Sequence, residues 1–515
     1  MKFKRFMTAG LTLCLAASVA GCSDNGEKSA ENGKMTITAM KYIYGDPPPI
    51  DGPGLKKINE KFKVDYQPRF IPEADYDEKL TAVMASGDVP DIVGFKGFGV
   101  NEMKFYTWAK QGAFLPLDEY IKDYPTFKMV PDYAWDAMKV DGKIYGIPEY
   151  SPVSEVTPVI RKDWLDKLGL KMPTNYEELK KVAIAFTKQD PDGNGKDDTY
   201  GIAMGQNIDP DYNMGAYWDY TAWYHKNEQG RYIPGIISDA RKQLIQFYAD
   251  LYKEGALTRD FALMSWGDVN SKEFYAGKAG IFIAAPQGMS EPYMQSLLQV
   301  HPEAELVPIP PFQAPDGSKG FRARKPYFGM TALSAKLADQ PEKVKRILEM
   351  IDFGRKFYPW EERTPDNKDF DWLWGHQGEG YVMKGGKPVA QKPESQPRTY
   401  LPDKKGWAPS LEANRYSMEY NVPQLANLTR QLEQMHVQTK HYFNPVNGII
   451  PEIEQQKGEE LRQFLINEQT KMIVGQRPID EWDQMVQEFL NKGGAQWIKE
   501  MNEAIQAGNR QGFWK

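Results

Sequence analysis

The chain has 515 residues, 41% apolar and 26% charged; at ~150 residues per domain, that length gives two to four domains or one large two-lobed body. A mean hydropathy of −0.61 excludes a polytopic membrane protein, and the composition excludes disorder and fibre classes for the bulk of the chain. The formal charge is −6, from 64 basic and 70 acidic residues without a long basic block, so the counterion release that drives nucleic-acid binding has no source and no nucleic-acid partner is expected.

Lys2, Lys4 and Arg5 precede sixteen uncharged residues, Phe6–Gly21, fewer than the ~20 that span a bilayer. Residues 1–22 read as a secretion signal. Its end, Val19-Ala20-Gly21-Cys22, resembles the bacterial lipoprotein signal, in which small residues precede a cysteine that receives diacylglycerol. The other cysteine, Cys14, lies in the removed segment, so the mature chain has no internal disulfide and Cys22 serves as the lipid anchor. Residues 23–34 are small, polar and charged, the composition of a flexible tether. The folded body is expected outside the cytoplasm, held to the outer face of the cell membrane.

From Met35 the pattern alternates. Residues 35–40 read as a strand, 54–64 as an amphipathic helix with Leu55, Ile58 and Phe62 on one side, 76–86 as a helix closed by Gly87, and 91–93 as a short buried strand. Strand and helix in turn favour an α/β architecture of mostly parallel sheets flanked by helices. Further on, Thr174 and Glu177 stand in capping-box spacing before Leu179, Val182, Ala183 and Phe186. Val344, Ile347, Leu348 and Ile351 repeat the helical stripe, as do two C-terminal helices separated by Gly493-Gly494. Residues 355–415, rich in Pro, Gly, Lys and Trp, break the pattern, and a stretch that long is a functional loop or an inserted hairpin.

One metal-ligand spacing stands out. Asp190, Asp192, Asn194 and Asp198 occupy positions one, three, five and nine of a calcium loop, with Gly195 at the sharp turn and the Lys196 carbonyl at position seven. Position twelve is Gly201 where an EF-hand has Glu, so a structural Ca²⁺ is expected, completed by water or another loop. Catalytic constellations are sparse. The five histidines include no HExxH, and neither a GxSxG elbow nor a P-loop is present. Two carboxylates suffice for a glycosidase, which leaves a secreted glycoside-active enzyme open as an alternative.

Several segments resemble the extracellular solute-binding proteins, family 1, of ABC importers: residues 85–93 (ASGDVPDIV), 141–148 (DGKIYGIP), 160–170 (IRKDWLDKLGL) and 277–280 (GKAG). The calcium-like loop, residues 378–381 (GEGY) and the ending 473–475 (IVG) with Trp482-Asp483 are similar to the lipoprotein subgroup that includes alginate-binding proteins. The resemblance implies two lobes joined by hinge strands, a periplasmic-binding-protein-like fold that closes on a sugar without covalent chemistry. Lobe one would comprise 35–152 and 327–385, and lobe two 153–326 and 386–515. It further implies an oligosaccharide ligand, ABC permease partners and a monomeric body, with a peptide-binding lipoprotein as a further alternative.

Ligands of such sheets meet loops at the carboxyl ends of strands, which points to Tyr44 and Asp46 after the first strand and to Phe95 and Lys96 after the third. Sugar recognition pairs aromatic faces with charged groups. The aromatic candidates are Tyr217, Trp218 and Trp223 around Asp219, then Trp266, and Trp360, Trp372 and Trp374. Arg322, Arg324 and Lys325 are candidate partners for a uronate carboxylate.

Overall fold

Strand and helix alternate from the start of the folded chain in the computed structural model, which describes residues 34–507 except 44, 45, 98, 155, 326 and 448. Met35–Ile43 is a strand that buries Ile37 and Ala39 on one face. Helix Pro53–Phe62 buries Leu55, Ile58 and Phe62 and stops where Lys63 turns left-handed at φ 54°. Strand Val64–Pro72 then pairs parallel with the first along its whole length. Helix Glu73–Ser86 closes at Gly87, whose φ of +79° suits a residue without Cβ. Ile92–Lys96 returns parallel to the first strand, fully buried.

This sheet is completed from elsewhere in the sequence. Its order is Val64–Pro72, Met35–Ile43, Ile92–Lys96, Gly329–Leu333, Gly146–Pro148. The second sheet orders Leu306–Pro308, Thr157–Arg161, Ala279–Ala284, Tyr200–Ile202. Gly329–Leu333 is antiparallel to both of its neighbours, and so is Thr157–Arg161. The sheets are therefore mixed, with one strand in each opposing a common direction. Connectivity is the reason. The odd strand is the one by which the chain enters from the other lobe, so it runs away from the shared boundary while its neighbours run toward it.

Two separate apolar cores follow the sheets. One takes residues from Ile37 to Ile147, then Tyr327 to Phe353, Leu373, Tyr400 and Leu401. The other takes Val159 to Ala314 and Tyr420 to Ile505. The chain thus passes between cores three times, in 148–158, 315–326 and 402–419. A boundary at 385 cuts through the packing of the first core, because helix Pro397–Tyr400 lies against helix Pro53–Phe62. Gly54 permits that approach: an added Cβ would sit 2.7 Å from the Gln396 carbonyl carbon.

The irregular segment folds into short pieces: helix Lys368–Trp374, hairpin Tyr381–Lys384 with Lys387–Ala390, and helix Pro397–Tyr400. At the middle helix, Tyr176–Lys188, the capping box is shifted one residue from Thr174. Asn175 Oδ1 accepts the Glu178 N–H at 2.9 Å, while the Glu178 carboxylate accepts from the Thr174 N–H and hydroxyl at 2.8 Å. Asn is as good an N-cap as Thr, and the extended backbone at 175 lets it take that place. Among the described residues, no helix is long and apolar enough to cross a membrane.

Candidate functional site

A cavity of about 520 Å³ lies between the lobes and touches all three passages. Tyr150, Ser151 and Pro152 come from the first, Arg324 from the second, and Lys404, Lys405, Asn414, Tyr416 and Glu419 from the third. Gln287 and Gly288 follow strand Ala279–Ala284, and Tyr150 follows strand Gly146–Pro148, so the carboxyl ends of both sheets open onto it. The segment after Gly354 supplies Arg363, Phe370, Trp374 and Arg398.

The walls are ordered by local contacts. The Arg398 guanidinium stacks over the Trp374 ring at 4.3 Å, and that ring packs on Phe370 at 5.4 Å. Tyr150 and Tyr416 join hydroxyls at 3.2 Å, linking the first passage to the third. Beneath the cavity, Lys41 Nζ pairs with Glu149 at 2.6 Å and donates to the Pro402 carbonyl at 2.9 Å. Beside them the buried Arg355 faces Asp403 at 3.4 Å. Burial pulls the Lys41 pKa down, but Glu149 and Asp403 outweigh it and hold the ammonium above the usual lysine value.

The charge around the cavity is lopsided. Among the described residues six cations border it, Arg324, Lys356, Arg363, Arg398, Lys404 and Lys405, against one carboxylate, Glu419. Loss of bulk water, then Arg398, Lys41 and Lys405, push Lys404 down to about 8. The same desolvation with Arg363 nearby pushes Arg398 down to about 10, still charged at neutral pH. Glu419 is raised, chiefly by burial.

A second interlobe cavity of about 750 Å³ lies across the 322–325 strand, and it holds Asp219, Trp223 and Arg322. Its charges neutralise one another: Arg322 with Asp219 at 3.1 Å, Lys325 with Glu102 at 2.6 Å, and Arg462 with Glu454 at 3.0 Å. The first cavity, with cations unmatched by its own walls, is the stronger candidate.

Of the described residues that the sequence pointed to, Trp374 and Arg324 border that first cavity, and the others lie elsewhere. Phe95 is fully buried against Phe105 and Phe114, a core ring rather than a ligand face. Lys96 is buried between Glu73 and Asp77, at 2.7 and 2.8 Å. Trp218 and Trp223 belong to the second core, the latter edge-on to Trp497. Tyr217 is half-buried against Trp218 and His225. Trp372 packs on Phe62 and Phe353 beneath Lys61. Trp266 is 46% exposed on the second lobe, and Asp46 is exposed on the first. Tyr44 and Cys22 lie outside the described residues.

In the acidic loop, Asp190 accepts the backbone N–H groups of Gly193 at 2.9 Å and Gly195 at 3.0 Å, and the Asn194 amide bridges Asp192 at 2.7 Å and Asp198 at 3.1 Å. In this arrangement no three His, Cys, Asp or Glu side chains among the described residues are gathered to hold a metal. The donor set nonetheless fits Ca²⁺. Asp190 and Asp192 lie close enough to share a proton, so a cation there would relieve carboxylate repulsion, with the Asn194 amide turning its oxygen inward.

Two α/β lobes around a cavity at the carboxyl ends of both sheets, spanned by three passages, are the architecture of a solute-binding protein. The sequence pattern of the bacterial extracellular solute-binding proteins matches residues 35–336, and the chain belongs to that family. Two Bacillus subtilis (strain 168) proteins are similar over nearly full length. Lipoprotein LipO is 27% identical over 519 residues, covering 96% of this chain and 98% of its own. The polygalacturonan/rhamnogalacturonan-binding protein YtcQ is 27% identical over 520 residues, covering 97% and 98%. The crystal structure of alginate-binding protein AlgQ2 without calcium ion shares the fold at a TM-score of 0.60 and 21% identity, covering 93% of this chain and 100% of that one.

Proposed function

We propose that this protein is the substrate-binding component of an ABC sugar importer. Lipid on Cys22 holds it at the outer face of the cell membrane, and it captures an oligosaccharide in the interlobe cavity for delivery to a membrane permease. The cavity carries this reading: about 520 Å³, within the ~300–1,000 Å³ of small-molecule sites, with an aromatic face and charged groups side by side. Trp374 suits the C–H face of a pyranose, while Asn414, Gln287 and the cations suit its hydroxyls. The polysaccharide named for the relative YtcQ supports a sugar ligand.

The mechanism is closure. A ligand that touches Trp374 and Arg398 on one lobe and Gln287 on the other gains contacts only when both meet it, so it favours the closed state by its differential affinity. No bond is made or broken. We take the first lobe as 35–152 with 327–403, and the second as 153–326 with 404–515. Tryptophan emission titrated with an oligosaccharide panel is expected to shift and saturate, with the sugar recovered intact. Release of shorter sugars would identify a glycoside-active enzyme instead. Binding to peptides and to no glycan would identify a peptide-binding lipoprotein.

Asp190, Asp192, Asn194, Asp198 and the Lys196 carbonyl would hold a structural Ca²⁺, stiffening the turn between helix Tyr176–Lys188 and strand Tyr200–Ile202. Calcium added to EDTA-treated protein should raise the melting temperature. At ten times the dissociation constant the gain is about 1.4 kcal/mol, and Asp198→Asn should diminish it. An unchanged melting curve would remove calcium from the loop.

A further inference from the structure

The cations of the interlobe cavity are not consumed by the protein's own carboxylates. Lys356 is matched by Asp369 at 2.6 Å. Among the described residues, Arg324, Arg363, Arg398, Lys404 and Lys405 form no ion pair with a carboxylate. Arg398 instead lies on the Trp374 ring, and Arg363 lies over Trp360 at 4.8 Å, donating its Nε–H to the Tyr358 carbonyl at 3.1 Å. Glu419, the one acid on the wall among the described residues, cannot balance them. Like charges gathered where water is scarce repel, and a structure tolerates this when something of opposite sign arrives. The second interlobe cavity, of similar size, shows the contrast, since its principal cations are matched by acids.

Resting on the oligosaccharide reading above, we propose that the sugar held in this cavity carries anionic groups, received by Arg398, Arg363 and Lys404. The shared chemistry is an acceptor-only anion on a sugar ring, which a uronate carboxylate or a sulfate ester supplies. A guanidinium held over an indole can present its N–H edge for paired hydrogen bonds to such oxygens, with the indole edge beside it in contact with the pyranose. Lys404, on the cavity wall, adds a point charge. The protein's negative net charge offers the anion no long-range attraction, so selectivity resides in these local groups.

A proton follows the ligand. Lys404 faces Arg398, Lys405, Lys41 and Glu149, and in the free protein it loses its proton at about 8. An anion beside it restores the charged form, so binding above that pH takes up a proton and affinity falls as pH rises from 7 to 9.5. Arg398, pushed down to about 10, keeps its proton through pH 8.5 and a uronate or sulfate ester is fully ionised, so the slope between pH 7 and 8.5 reports Lys404.

The test is isothermal titration calorimetry on the mature chain with three trisaccharides: galactotriose, its sulfated form, and trigalacturonate. At least one anionic trimer should bind tighter than the neutral one, on the order of tenfold or more, and whichever does so identifies the anion. Repeating the titration at pH 8.5 in buffers of different ionisation enthalpy should show proton uptake in the wild type, and this should be lost in Lys404→Gln. Arg398→Gln should weaken the anionic trimer by a larger factor than the neutral one, and an equal loss for both would overturn the assignment of the anion to this guanidinium. Equal or tighter binding of the neutral trimer would overturn this inference alone, leaving the oligosaccharide reading intact. Binding of none of the three would overturn both.

Discussion

Glu149→Ala is expected to destabilise the folded protein by about 3 kcal/mol, toward the lower end of the 3–5 kcal/mol typical of a broken buried ion pair because Lys41 keeps 22% side-chain exposure. Removing the carboxylate strands the Lys41 ammonium beside the buried Arg355 guanidinium, with Asp403 left to serve both. The Pro402 carbonyl remains as a hydrogen-bond acceptor and limits the loss. Glu149→Gln retains an acceptor and should fall between the two. Because the folded Lys41 pKa is raised, the stabilisation is complete below about 10.5, its unfolded value, and fades as pH climbs through the higher folded value. Urea unfolding at pH 7 and pH 11 checks this: the midpoint difference between wild type and Glu149→Ala should shrink at the higher pH. An identical midpoint at pH 7 would mean that Lys41 escapes to solvent and that the pair does not tie the first strand to the first and third passages.

Local order was legible along much of the sequence because it rests on short-range chemistry. Gly87 ends its helix through backbone geometry, and the stripe of Val344, Ile347, Leu348 and Ile351 packs as its spacing requires, whereas the stop at Lys63 fell inside the helix read over 54–64. The direction of Gly329–Leu333 was not legible, because it depends on which lobe the chain has come from. The site was harder still. Aromatic density drew attention to 217–223, yet Trp218 and Trp223 fill the second core, since apolar rings are more often buried than displayed. Past strand Phe321–Arg322 the chain leaves regular structure, and Arg324 borders the cation-rich cavity while Arg322, Ala323 and Lys325 border the other, a division that no strand period gives. Arg363, Arg398 and Lys404 lay in the segment that the broken pattern marked as functional, but no spacing rule joins residues brought together by a hairpin and two short helices.

Trp374→Ala should weaken oligosaccharide binding about 30-fold, the ~2 kcal/mol of a binding hot spot, whereas Trp372→Ala should cost folding stability and leave affinity unchanged. The two residues sit on one short helix, Lys368–Trp374, and at about 100° per residue their side chains point to nearly opposite faces. Trp372 faces inward to Phe62 and Phe353. Trp374 faces the cavity, where its ring supports Arg398, so truncation removes the pyranose contact and also frees the guanidinium from its fixed plane. The helix is stopped at that point by Gly375, with φ +85°, and Gly380 passes so close that an added Cβ would lie 1.9 Å from the Trp374 carbonyl oxygen. The indole is therefore placed by the backbone around it and not by the ligand, which limits the ordering cost of binding. Trp266→Ala, on the exposed face of the second lobe, should change neither property. Calorimetry and thermal melts on the three variants separate the roles. Retained affinity in Trp374→Ala with loss in Trp372→Ala would reverse the assignment of the two faces and move the sugar out of this cavity.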